Sequence, residues 1–160
     1  MKPALKTLLA PALALGVFAA AIAPVQAQQA PKPEQLIKWR QSAYQVIAWN
    51  SGRIKASVEG TYNKDEVIKA ANTIAAIANS GLGALYAPGT ETGKGWHDTT
   101  VKPALFTDGA KAGAAAAAFN KEANELAKVA LTGDAAAVKT QYGALTKTCK
   151  GCHDDFRNSN

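Results

Sequence analysis

Residues 134–156 read DAAAVKTQYGALTKTCKGCHDDF. Val138, Tyr142, Leu145, Cys149, Cys152 and Phe156 recur in this stretch at spacings of 4, 3, 4, 3 and 4, which lays them along one face of a helix. Asp134 stands where an N-cap belongs, directly before three alanines of high helix propensity. Both cysteines of the chain therefore fall on the inward seam of one helix.

The same period organises the rest of the chain. Ile37, Arg40, Tyr44, Ile47, Ser51 and Ile54 mark a helix from Glu34 to about Val58, with Pro33 in its first turn and Gly60 at its end. Asn63 and Glu66 form an asparagine version of the capping box before a second helix, whose seam Val67, Ala71, Ile74 and Ala78 ends at Gly81. A third helix is expected from Asp108 to Gly133, with Ala112, Phe119, Leu126 and Ala130 inward; its run of five alanines reads most simply as helix filler. Between them, GLGALYAPGTETGKGWHDTTVKP is a long loop rich in Gly, Thr and Pro, and loops of this length cover or line something. No alternating strand pattern occurs, so the expected fold is all-α, four antiparallel helices.

The N-terminal stretch MKPALKTLLAPALALGVFAAAIAPVQA carries Lys2 and Lys6 ahead of an apolar run and small residues up to Ala27, the pattern of an export signal over residues 1–27. Residues 28–160 then form one domain destined for the periplasm, with no second apolar run able to cross a membrane. Losing Lys2 and Lys6 lowers the formal charge from +6 to about +4. The lysines are scattered, which argues against nucleic acid as a partner and leaves an acidic redox protein open.

Cys149-Lys150-Gly151-Cys152-His153 has the C-x-x-C-H spacing of covalent haem attachment, in which two thiols add to the vinyl groups and the histidine ligates iron. On a helix the three side chains share a face. A redox dithiol would sit at a helix N-terminus. A zinc site would need more ligands than His97 and scattered carboxylates supply. A disulfide would leave His153 unexplained. The expectation is one haem c per chain, with His153 on the metal. The only methionine is Met1, which leaves with the signal, so the usual sulfur ligand of electron-carrying haems is missing. His97 reads as a solvated loop residue, with ligation as the alternative.

With these pieces in place the mature chain resembles the cytochromes c′. The resemblance rests on KWRQSAY (38–44), APGTETG (87–93), PALFTD (103–108) and CKGCHDDFR (149–157), and above all on a haem motif beside the C-terminus joined to an Arg-Gln pair in the first helix. It implies an up-down-up-down bundle with covalently attached haem. It implies thioether bonds at Cys149 and Cys152, His153 as proximal ligand, and Arg40 and Gln41 near the haem propionates, a surface ion pair being the alternative for Arg40. Tyr44 would shield the distal face, or ligate as in catalase. Phe156 and Arg157 would close the proximal side, and Glu91 would touch the haem edge. Relatives often carry a tryptophan shortly before Pro-Gly-Thr-Glu, a neighbourhood read here as Gly81-Leu82-Gly83, and the loop after Glu91 is longer than usual.

The expected function is a periplasmic haem protein with five-coordinate, high-spin iron, open to NO and CO and capable of one-electron transfer. No substrate turnover is expected, since a peroxidase would want a distal acid-base residue. The alternative is a low-spin electron shuttle with a non-methionine sixth ligand. The resemblance also implies a homodimer through the first two helices, with Trp39 and Trp49 at the contact.

Overall fold

The computed structural model describes residues 30–158. The export signal expected over 1–27 lies outside them. Five α-helices run in order: α1 (Pro33–Glu59), α2 (Lys64–Ala78), α3 (Ala104–Thr107), α4 (Gly109–Thr132) and α5 (Ala135–Phe156). The four long ones are the helices the periodicity predicts, with ends that differ by a few residues at most. A 3-10 turn at Leu82–Leu85 and the one-turn α3 interrupt the long connection, and neither is visible as a period. Among the described residues β-structure is limited to two isolated bridges, Lys94 with Asp98 and Val101 with Arg157.

Local chemistry sets the helix ends. Asp134 Oδ1 accepts from the backbone N–H groups of Ala136 and Ala137 at 2.8 and 3.0 Å, which satisfies two orphan donors of α5. Asp108 Oδ1 does the same for Lys111 N at 3.0 Å, so one residue both ends α3 and starts α4. The expected capping box at Asn63 is only half made. Asn63 Oδ1 accepts from Glu66 N at 3.1 Å, but Asn63 N donates to Ser57 Oγ at 2.8 Å, and the Glu66 carboxylate pairs instead with Arg53 on α1. The exchange ties α2 to α1 where a box would have served α2 alone.

Short connections make α1 and α2, and α4 and α5, antiparallel neighbours. Helix α2 packs against both α1 and α4, and α4 against α5, whereas α1 touches α5 only lightly. The buried cluster includes Ile54, Val67, Ile74, Leu126 and Val138, all in the half of the bundle near the two short turns. Burying each of these side chains contributes about 1.5–3 kcal/mol. Ser51 Oγ and Tyr142 Oη meet at 2.9 Å between α1 and α5, beside this packing. Beyond them the helices enclose a cavity, and the 79–108 connection wraps that end.

Candidate functional site

The cavity has a volume of about 970 Å³ and is bordered by α1, the connection, the first half of α4 and the last two turns of α5. The cavity opens partly to solvent, and its volume stands at the upper end of the roughly 300–1,000 Å³ typical of ligand sites, room for an occupant that is not a side chain. The sequence explains the space: where α4 faces the cavity it offers Ala112, Gly113, Ala115 and Ala116, so the alanine run is cavity wall as well as rigid rod.

Cys149, Cys152 and His153 all border this cavity. The thiols are unpaired, and burial pushes both up from the ordinary thiol range. That is opposite to the activation a redox dithiol needs, so the oxidoreductase reading loses its support. Among the described residues no group of three or more His, Cys, Asp or Glu is arranged to hold a metal ion. The His153 ring is pulled below its usual range by burial and by the Arg157 charge, which favours the neutral imidazole that ligation requires. Two thiols and a neutral imidazole on one face, opening on a large apolar cavity, fit a covalently attached haem.

Arg40 is 3% exposed. Its Nη1 donates to Leu85 O and Thr90 Oγ1 at 3.2 and 2.8 Å, and its Nη2 to Thr90 O and Thr99 Oγ1, both at 2.7 Å. Burial lowers its pKa, while Tyr86, Tyr44 and Glu91 oppose that shift. The alternative of a surface ion pair fails, because the residue is buried and its partners are neutral oxygens. Within the chain, carbonyl and hydroxyl oxygens of the connection accept from the guanidinium, which also borders the smaller space beside the cavity.

Gln41 clamps the same connection further along. Its Oε1 accepts from Trp96 N at 2.7 Å and its Nε2 donates to His97 O at 2.9 Å. Gly95 sits so close that a Cβ there would lie 2.4 Å from Gln41 Oε1 and 2.8 Å from Lys38 N. His97 is exposed, with Nδ1 2.8 Å from Asp98 O, so the ring is held by its own loop. Arg40, Gln41 and His97 border a smaller space of about 280 Å³ that shares Tyr44, Cys152, His153, Phe156 and Arg157 with the larger one.

Tyr44 projects from α1 at the cavity, 39% exposed, and Tyr86 Oη donates to its hydroxyl at 3.3 Å. Burial raises both phenols, and the Tyr86 phenol pushes Tyr44 up further. Tyr86 is the site residue that sequence reasoning missed. It stands two residues before Pro88, so the stretch ahead of Pro-Gly-Thr-Glu does carry an aromatic ring. Glu91 borders the cavity; Phe156 is buried on its wall, and exposed Arg157 caps α5 by donating its N–H to His153 O at 3.0 Å.

Comparison with known proteins agrees with this construction. The family model for Cytochrome C′ matches residues 35–157. The cytochrome c′ of Rhodocyclus tenuis is 72% identical over 127 residues, covering 79% of this chain and 96% of that protein. A solved cytochrome c′ described as having an unusual ligand-controlled dimer dissociation superposes with a TM-score of 0.79 at 48% identity, covering 81% of this chain and 99% of the other. A nitric oxide complex of a mutant cytochrome c′ from Alcaligenes xylosoxidans superposes with a TM-score of 0.71 at 27% identity, covering 80% and 98%. The chain belongs to the cytochrome c′ family of c-type haem proteins.

Proposed function

We propose that this protein works in the periplasm with a five-coordinate, high-spin haem, binding NO and CO at an open distal position and exchanging single electrons. The observation that carries the reading is what stands opposite His153. Tyr44 and Tyr86 are the tyrosines that border the cavity with His153, the one methionine of the sequence is Met1, and His97 is held by its loop.

The haem supplies one coordination position for a diatomic gas and one electron per cycle. The chain's residues supply the rest. Cys149 and Cys152 anchor the ring through thioether bonds, and His153 holds the iron from α5. Phe156 and Arg157 close the proximal side. Arg40 and Gln41 order the 79–108 connection and so place Glu91 and Tyr86 at the cavity rim, a polar edge that would receive the haem propionates. Tyr44 lines the distal side and leaves the position open.

A largely apolar cavity suits NO and CO, small neutral ligands whose binding depends little on charge stabilisation. The nitric oxide complex of the Alcaligenes protein supports the same reading. Trp39, Val46 and Trp49 stand 48%, 41% and 64% exposed on α1, which supports a homodimer through that helix. The test is nitric oxide titration of the reduced protein: uptake of one equivalent per chain is expected, and absence of uptake contradicts the proposal.

A further inference from the structure

Tyr86 neither anchors the haem nor holds the iron, yet its ring and backbone are fixed from several directions. Arg40 fastens the chain on both sides of it, at Leu85 O and at Thr90. The Arg40 guanidinium also lies over its ring, 4.6 Å from the centroid. The Phe106 ring, tilted by 60°, sits 6.3 Å away. Backbone N–H of Tyr86 closes the turn on Gly83 O at 3.1 Å. A phenol fixed this firmly points its hydroxyl at one partner, the Tyr44 oxygen.

Tyr44 is the opposite case. It projects from a helix at the cavity wall, and among the described residues its hydroxyl meets only Tyr86. A phenol has one proton to donate and two lone pairs to accept with. Tyr86 donates in this pair and fills one lone pair of Tyr44, which leaves the Tyr44 proton uncommitted at the cavity.

We propose that Tyr86 is a positioning residue that holds the Tyr44 hydroxyl at the cavity wall, so that Tyr44 donates a hydrogen bond to a cavity-bound ligand and the pair favours ligands able to accept one. The proposal rests on the open haem site and adds a specificity device to it. Arg40 belongs to the device through Leu85 and Thr90, two steps from the ligand.

The test compares Tyr44→Phe, Tyr86→Phe and the double variant of the haem-loaded protein. Fluoride on the ferric form serves as a strong hydrogen-bond acceptor and CO on the ferrous form as a weak one. Each single variant is expected to weaken fluoride about fivefold to tenfold, the worth of one neutral hydrogen bond. The double variant should lose no more than either single, and CO affinity should stay within about twofold, because residues acting as one unit are not additive. Urea midpoints provide a readout independent of the haem ligand, and the two single shifts should sum to more than the double shift. Wild-type fluoride affinity in Tyr86→Phe, or an equal fall in CO, overturns the positioning role. A wild-type protein that takes up neither fluoride nor CO overturns the open-site reading itself, and the proposal with it.

Discussion

Arg40 Nη2 donates to the backbone oxygen of Thr90 at 2.7 Å while Nη1 reaches its side-chain Oγ1 at 2.8 Å, so one guanidinium fastens the long connection to α1 across fifty positions of sequence. Thr90 is fully buried, and its oxygens lose a charged donor if Arg40 is removed. Arg40→Ala is therefore expected to lower stability by about 3 kcal/mol, the range of buried charge-assisted hydrogen bonds. Arg40→Lys should recover only part of this, since a point charge cannot serve both oxygens and Thr99 in one plane. Urea unfolding of the three proteins measures it.

Two glycines should respond in opposite directions. Gly52 lies inside α1, and a methyl group added there would meet nothing within 4 Å, so Gly52→Ala is expected to stabilise by about 1 kcal/mol through helix propensity. At Gly95 the same methyl meets Lys38 backbone at 2.8 Å, and backbone cannot swing aside. Gly95→Ala should destabilise by about 1–3 kcal/mol and raise hydrogen exchange in the loop around Trp96.

Alkaline pH should act through the phenols. Burial raises Tyr44 and Tyr86, and a group whose folded pKa lies above its unfolded value of about 10 stabilises fully below that pH and loses its contribution as pH rises toward the folded pKa. The urea midpoint is expected to be level up to about pH 9 and to fall above about pH 10. Tyr62, also raised by burial, and Lys111, raised by its bond to Asp155, contribute to the fall. The slope should be smaller in the Tyr44→Phe/Tyr86→Phe protein, and an unchanged slope would remove the tyrosines from the explanation.

Helix-bearing residues were legible because a 3.6-residue period survives in Val138 through Phe156 and in Ile37 through Ile54, and because Asp134, Asn63 and Asp108 are caps whose chemistry is local. The haem motif was legible for the same reason, since its three side chains are neighbours on one helix. Period alone could not tell packed seam from cavity wall: Ile54 and Cys149 occupy equivalent positions, yet one is buried in the core and the other lines the cavity. What remained hidden is contact between distant segments. Arg40 reads as a partner of the propionates or of a surface ion pair, and its ties to Leu85, Thr90 and Thr99 appear only in three dimensions, as Tyr86 reads as loop until its hydroxyl meets Tyr44. Its short-range signal was an aromatic two residues before Pro88, inside a loop with no period to mark it.

Covalent attachment has its own check. Wild-type protein matured by export should keep its haem after denaturation, seen as added mass on the chain. Cys149→Ser combined with Cys152→Ser should lose that mass entirely, and haem retained by the double variant would contradict the assignment of both thiols.

An iron held by His153 with nothing bound opposite should show itself in visible absorption of the reduced protein, recorded with and without CO, which is the most direct test of the proposed site. The expected result is a broad high-spin spectrum that shifts when CO is added. A sharp low-spin spectrum that does not respond to CO would contradict it.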